Sequence, residues 1–283
     1  MKKIRKRTAF GFTLVELLVV ISVIALLLAI LMPALGKARE LANRIVCGQH
    51  LKTLTQASTT YASTYSGFYV PCGYWGLVED SSSGNIKEDS VTWLNNRAFL
   101  AYVAKKDLTQ VGAGELTTGL NLPKEFLCPN DQITKDTENK GTGNVSTSYG
   151  YNMTDWNVPG AWDEAFEPDS RWRGHVGHST ETIKSPADKL HFTETIDWWC
   201  NWDMADYRDR WDVYRQEHDV NWWVNKSPFK SGGAVMYRHA EGANVGFYDG
   251  HLEYLKKEKI FIVDDYNKSP KWAGMWTATG LVN

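Results

Sequence analysis

The sequence predicts an α+β fold in which one long N-terminal helix packs on an antiparallel β-sheet. An apolar run over residues 12–32 continues into a segment of helical periodicity that ends near residue 64. Near the C-terminus, apolar and polar residues alternate on both sides of Asp249 and Gly250, a pattern typical of a β-hairpin. The remaining residues, 65–283, are enough for a head domain with its own core.

The apolar run is long enough to cross a membrane. Residues 12–32 contain one charged side chain, Glu16, and a rise of about 1.5 Å per residue gives roughly 30 Å, the thickness of a hydrocarbon core. Five Lys and Arg residues among the first seven predict that the N-terminus stays in the cytoplasm and that the head lies outside. The formal net charge of −2 argues against a nucleic-acid-binding protein.

The second half of the helix has an apolar face, which we expect to pack on the head domain. Gly67, Pro71 and Gly73 end this segment, and Pro33 inside the helix removes one backbone hydrogen bond, which predicts a bend. The apolar face consists of Ala38, Leu41, Ile45, Leu51, Leu54, Ala57 and Tyr61.

Shorter elements follow in the head. Residues 80–90 are polar and predict a surface loop, and residues 92–107 predict a short amphipathic helix. Strands are expected at 126–131, 148–152 and 189–193. The inward side chains of the short helix are expected to be Trp93, Leu94, Phe99, Leu100 and Val103.

The hairpin near the C-terminus is predicted to turn on a two-residue loop of Asp249 and Gly250. That loop places Phe247 opposite Leu252 and Val245 opposite Tyr254. These four residues would then form one apolar face.

Four cysteines, an even number, are compatible with disulfide bonds in an exported domain. Sequence alone leaves all three pairings open, and buried free thiols are the alternative. The four are Cys47, Cys72, Cys128 and Cys200.

Residues 156–223 contain nine of the thirteen tryptophans and show no clean period, which predicts an irregular insertion. Trp198, Trp199, Trp222 and Trp223 are candidates for an aromatic face that binds a glycan or a protein partner. The alternative is that they fill the core of the insertion.

The start of the chain resembles the N-terminal signal of type IV pilins and type II secretion pseudopilins. Gly11 is followed by Phe12, and Glu16 stands at the fifth position after the glycine. The resemblance implies that residues 1–11 are a leader, and that a prepilin peptidase cuts after Gly11 and methylates Phe12. Pilins similarly have a proline about as far into the helix as Pro33.

The same resemblance implies that residues 12–32 leave the membrane lipid at an inner-membrane assembly platform and form the core of a filament. Glu16 could then pair with the amine of Phe12 in a neighbouring subunit. Because the surroundings are apolar, this pair would be strong, and a wrong register would leave a buried charge unpaired. Glu16 is thus expected to set the register.

A second resemblance lies at the C-terminus. His239, followed after nine residues by Asp249 and Gly250, is similar to the H-x9-DG signature of a large group of bacterial prepilin-type proteins. It implies an architecture and an export route rather than an activity. Four further segments are similar to recurring segments of that group in the same order: 43–54 (NRIVCGQHLKTL), 126–131 (FLCPND), 148–152 (SYGYN) and 185–194 (SPADKLHFTE).

A metal site is one hypothesis for His239, Asp249 and His251, with Asp131 as a further candidate. Secretion pseudopilins similarly bind calcium in a C-terminal loop, but calcium prefers oxygen ligands, whereas zinc suits histidine. The alternative is that Asp249 is a turn residue and that His239 forms structural hydrogen bonds. Beyond this hypothesis of calcium or zinc, the sequence assigns no cofactor.

No hydrolase, zincin or P-loop motif is present in the sequence, so we expect no enzymatic activity and no catalytic residue. The sequence thus predicts a structural subunit of a type IV pilus or a type II secretion pseudopilus. Its partners would be identical or related pilin subunits, in a periplasmic or extracellular filament. The alternative is a membrane-anchored glycan- or ligand-binding surface protein with a pilin-type export signal.

Overall fold

The computed structural model describes residues 13–79, 86–104, 126–134, 147–154, 172–175, 178–208, 234–261 and 273–276. The chain divides into two compact units, 1–42 and 43–283. The helices are α1 (Leu14–Thr64), α2 (Arg97–Ala104), α3 (Lys257–Ile260) and α4 (Ala273–Trp276). The strands are β1 (Gly73–Glu79), β2 (Ile86–Thr92), β3 (Tyr149–Asn152), β4 (Trp172–His175), β5 (Leu190–Glu194), β6 (Trp199–Cys200), β7 (Gly242–Phe247) and β8 (Leu252–Lys256). Short 3₁₀ helices span Trp93–Asn95, Pro186–Asp188 and Trp202–Ala205.

The long helix is confirmed, and it ends at Thr64 as its periodicity predicts. By length and composition α1 is able to cross a membrane. Its buried face begins at Cys47 rather than at the predicted Ala38, and Leu41 and Ile45 are exposed. The remaining predicted positions are buried as expected: Leu51, Leu54, Ala57 and Tyr61.

The main sheet has five strands in the order β6-β3-β5-β7-β8. Its pairs are antiparallel as predicted, except that β6 runs parallel to β3, so the sheet is mixed. The residues of β7 are all buried. A second sheet of three strands has the order β2-β1-β4.

One face of the main sheet packs against α1 at two glycines. A Cβ added to Gly246 of β7 would overlap Thr55 Cγ2, and a Cβ added to Gly48 of α1 would lie 3.0 Å from Leu252 Cδ2. The absence of both side chains therefore lets helix and sheet approach closely. Ala243 and Val245 belong instead to a second core cluster that includes Trp276 of α4.

The hairpin β7–β8 is present, but its predicted register is wrong by one residue. Gly246, not Phe247, pairs with Leu252. The Phe247 N–H donates to the His251 carbonyl (3.0 Å), and Gly250 has a φ of +87°. The loop therefore has three residues that end in a left-handed glycine, the geometry of a bulge.

Three other predictions are wrong, one of them as a whole and two in part. Residues 86–92 form β2 and pair with β1 in place of part of the predicted loop. Residues 126–131 are not a strand, because Pro129 has no N–H and the Asp131 N–H donates to the Cys128 carbonyl (2.9 Å) in a turn. Residues 172–175, inside the predicted irregular insertion, form β4.

The short helix is confirmed as the 3₁₀ turn Trp93–Asn95 followed by α2, and its five predicted inward side chains are buried. The strands predicted at 148–152 and 189–193 correspond to β3 and β5. Ser148 directly precedes β3 and Glu194 ends β5, and both side chains belong to the buried polar cluster described next.

Candidate functional site

The first turn of α1 is a capping box built by Thr13 and Glu16. The Thr13 N–H and hydroxyl donate to Glu16 Oε2 at 2.8 and 2.7 Å, and the Glu16 N–H donates to Thr13 Oγ1 at 3.2 Å. Reciprocal bonds of this kind satisfy backbone donors that have no partner within the helix. Our sequence reasoning missed this role, although the Thr-x-x-Glu spacing is its known signal.

Gly11 and Phe12, the predicted processing residues, lie outside the described residues. Pro33 lies inside α1, and the helix continues on both sides of it. Since proline has no N–H, the carbonyl four residues earlier, that of Ala29, loses its helical donor.

The apolar stretch of α1 is a continuous exposed surface. Its large apolar side chains between Leu14 and Leu35 are 46–85% exposed, and none of the most apolar 18-residue window is buried. Soluble monomers rarely expose so long an apolar surface. The segment therefore needs an apolar environment around it.

The head contains a buried polar cluster centred on an ion pair. Arg238 Nη2 lies 2.7 Å from Asp131 Oδ2, and both side chains are almost completely buried. Asp131 also accepts hydrogen bonds from the Ser148 hydroxyl (2.7 Å) and the Thr134 N–H (3.0 Å). Arg238 donates to the Ser148 and Thr195 carbonyls (3.1 and 2.7 Å). A buried ion pair needs such additional partners to offset its desolvation.

Next to this pair lie two sulfur atoms and an imidazole. Cys47 Sγ of α1 is 2.7 Å from Cys128 Sγ, which is 3.5 Å from His239 Nε2. The same nitrogen is 3.4 Å from Glu194 Oε1 of β5, and all four side chains are fully buried. Asn244 of β7 donates to Glu194 Oε1 at 2.6 Å.

Cys128 and His239 favour each other's charged form. Burial opposes ionisation of Cys128, but hydrogen bonds from Cys47 and His239 outweigh it and lower the Cys128 pKa to about 6. Burial likewise opposes protonation of His239, but its bonds to Cys128 and Glu194 raise the pKa to about 9. The reduced site therefore favours a thiolate–imidazolium pair.

Among the described residues, Cys47, Cys128 and His239 are the group whose ligand atoms lie close enough to share a metal ion, within 4.8 Å of one another. Sulfur and imidazole are ligands that zinc accepts. Asp249 and His251, the other predicted metal ligands, lie at the opposite end of β7, where Asp249 Oδ1 contacts His251 Nδ1 at 2.5 Å. Six strand residues at about 3.3 Å each separate the two ends, too far for one ion.

No disulfide bond joins the four cysteines, all of which are described and buried. Cys72 and Cys200 belong to different core clusters, and burial raises the pKa of both thiols. Trp198 and Trp199 are half-buried and pack against the core cluster that contains Leu51 and Phe99. Trp222 and Trp223 lie outside the described residues.

The buried cluster unites the segments that carry the resemblance to the H-x9-DG group. The segment 43–54 contributes Cys47, the segment 126–131 contributes Cys128 and Asp131, and β5 contributes Glu194. His239 of the signature lies among them. The sequence indicated that these segments resemble those of the H-x9-DG group, but it did not show that their side chains lie together in the folded head.

Comparison with known proteins concerns mainly the N-terminal part. Residues 6–32 match the prokaryotic N-terminal methylation motif. The chain is 46% identical over 55 residues to the type IV wide pilus major component PilA4 of Thermus thermophilus, which covers 19% of this chain and 42% of that protein. The chain thus spans less than half the length of this relative. No solved structure matches the chain. The predicted resemblance at the N-terminus is confirmed: the chain carries a type IV pilin signal on a long apolar helix, followed by an α+β head.

Proposed function

We propose that this protein is a structural subunit of a type IV pilus or of a filament like the type II secretion pseudopilus. The match of residues 6–32 to the methylation motif carries the proposal. The similarity to a pilus component and the exposed apolar surface of α1 support it.

In this proposal the precursor crosses the inner membrane once, with its N-terminus in the cytoplasm and its head outside. The five basic residues of the leader favour that orientation. Prepilin peptidase cuts after Gly11 and methylates the new amino group on Phe12. The apolar stretch of α1 stays in lipid until the assembly platform transfers the subunit into a periplasmic or extracellular filament.

The capping box suggests how Glu16 is accommodated before assembly. Its carboxylate accepts two hydrogen bonds from Thr13 of the same chain, so it is not an unsatisfied group in the bilayer. In the filament, the Phe12 amine of an identical or related subunit becomes a new partner. The energy of assembly comes mainly from packing of apolar helices, and Glu16 selects the register.

We propose a structural rather than an enzymatic role. For the anchored glycan binder, Trp198 and Trp199 offer little support, because they are half-buried against the core. That alternative remains as an outcome of the experiments.

The first experiment is the mass of the N-terminal peptide of the protein from its native cells. We expect a peptide that begins at Phe12 and has one added methyl group. An intact N-terminus, or a cut near residue 35, would contradict the proposal.

The second experiment compares Glu16→Gln with Ser22→Ala. Glutamine keeps the size of Glu16 but removes its charge. The Ser22 hydroxyl donates to the Leu18 carbonyl of its own helix (2.8 Å) and serves as the matched control. We expect both variants to be processed and Glu16→Gln alone to be lost from sheared filaments. If wild-type protein is processed but never appears in that fraction, the anchored binder becomes the better explanation.

A further inference from the structure

The two sulfur atoms of the buried cluster lie within reach of a covalent bond. Their separation is 2.7 Å, and a disulfide bond requires about 2.05 Å. Both backbones are held in place, since Cys47 lies inside α1 and the Cys128 N–H donates to Ser148 Oγ at 2.9 Å. A small side-chain adjustment is therefore sufficient to join them.

The charges around the sulfurs favour the joined form. Asp131 and Arg238 neutralise each other, and Glu194 faces His239. A disulfide has no charge, so it needs no counter-ion in this buried cluster. A neutral disulfide leaves Glu194 and His239 as a balanced pair.

Zinc fits the same atoms less well. With Zn–S bonds of about 2.3 Å, tetrahedral geometry holds two sulfur ligands roughly 3.7 Å apart, well above the 2.7 Å observed. A zinc-bound imidazole is neutral, so Glu194 would lose its cation. However, Glu194 Oε2 has no hydrogen-bond partner among the described residues and offers a fourth ligand atom. The experiment must therefore distinguish zinc from a disulfide.

We propose that Cys47 and Cys128 form a disulfide bond that fastens α1 to the loop of residues 126–131. This rests on the proposed function, because it needs the head on the oxidising side of the membrane. The oxidant is a disulfide carried by a protein or a small thiol compound.

The exchange proceeds in two steps. The Cys128 thiolate attacks the oxidant disulfide and releases one thiol, and Cys47 then loses its proton and attacks the Cys128 sulfur, which releases the second thiol. The two protein thiols lose two protons and two electrons, and the oxidant disulfide takes them up as two thiols. Because both sulfurs are buried, exchange takes place before the loop closes on α1, and the folded head then shields the bond.

The test uses the full-length protein, extracted from its native membranes with N-ethylmaleimide to block free thiols and digested with trypsin without reduction. We expect the peptide of residues 45–52 joined to that of residues 125–135, and two separate peptides after reduction. Cys47→Ser and Cys128→Ser should abolish the joined peptide. Cys200→Ser, the matched control at another buried thiol, should retain it.

Two results would overturn the disulfide. In the first, both cysteines carry maleimide once the protein is unfolded. In the second, unfolding also releases one zinc ion per protein molecule, which would show that the cluster binds a metal. The same digest reports the N-terminal residue independently. A chain that starts at methylated Phe12 and has two free thiols would reject the disulfide and leave the pilin proposal intact.

Discussion

Replacement of Gly246 by alanine tests how closely α1 packs on the sheet. The added Cβ would overlap Thr55 Cγ2, and Leu51 Cδ2 is 3.6 Å away. The Thr55 methyl has little freedom to move, because its side chain is buried and its hydroxyl donates to the Leu51 carbonyl at 3.1 Å. Overpacking of this kind lowers the free energy of unfolding by about 1–3 kcal/mol.

Thermal unfolding of the full chain in detergent, followed by tryptophan fluorescence, measures the loss. For a head of this size each kcal/mol shifts Tm by roughly 2–4 °C, so we expect a decrease of roughly 2–12 °C. Adding Thr55→Ser removes Cγ2 but keeps the hydroxyl, and the double variant should recover most of the loss.

Gly274→Ala is the control, since its added Cβ has no neighbour within 4 Å. We expect this variant to change the free energy of unfolding by less than about 0.5 kcal/mol. If Gly246→Ala is as stable as the wild type, or if Thr55→Ser gives no recovery, α1 does not pack on β7 as described.

Three further predictions concern the head. Arg238→Met removes the cation that faces the buried Asp131 carboxylate and should lower the free energy of unfolding, measured by chemical denaturation, by about 3–5 kcal/mol. Arg208→Met, at an exposed ion pair, should lower the free energy of unfolding by less than about 1 kcal/mol. Equal losses in the two variants would contradict a special role for the buried ion pair. Gly250→Ala, at a φ of +87°, should lower the free energy of unfolding by about 1 kcal/mol in chemical denaturation. An unchanged free energy of unfolding would contradict the three-residue loop. Burial raises the pKa of Asp197 from 3.8 to about 7, so the folded state keeps a proton that the unfolded chain releases. The free energy of unfolding should therefore fall as pH rises from about 4 to about 7, and Asp197→Asn should remove this dependence on pH. A wild-type free energy of unfolding that does not change over this pH range would contradict the prediction.

The parts of the fold that depend on local periodicity could be predicted from sequence. The end of α1 at Thr64 and the inward side chains of α2 follow from apolar spacing and from the glycine and proline residues beyond. The start of burial at Cys47 could not be predicted, because it depends on where the sheet begins to cover the helix.

The hairpin register shows why pairing is harder to predict. Asp249 and Gly250 fit a two-residue loop and also a three-residue loop with the glycine in the left-handed conformation. Contacts from elsewhere accompany the second choice: the Tyr248 N–H donates to the Lys189 carbonyl (3.1 Å) and the Asp249 N–H donates to the Pro186 carbonyl (3.3 Å). A local pattern does not contain these contacts.

The polar cluster was beyond sequence reasoning for the same reason. Cys47 and Cys128 are 81 positions apart, and Cys128 and His239 are 111 apart. Their residue types suggested separate hypotheses, a disulfide and a metal site. Only the fold shows that Cys47 and Cys128 from the first hypothesis and His239 from the second lie in one cluster.

The span of these contacts also sets an order of events during synthesis. Asn244 donates to the Arg44 carbonyl across 200 positions, and Lys52 donates to the Gly250 carbonyl across 198. Contacts so distant in sequence form late, because a large loop must close first. The apolar start of α1 therefore leaves the ribosome long before the residues that complete the head. Until β7 and β8 are synthesised, the later turns of α1 lack their native contacts. During this interval a chaperone would protect these turns, and an oxidant would reach Cys47.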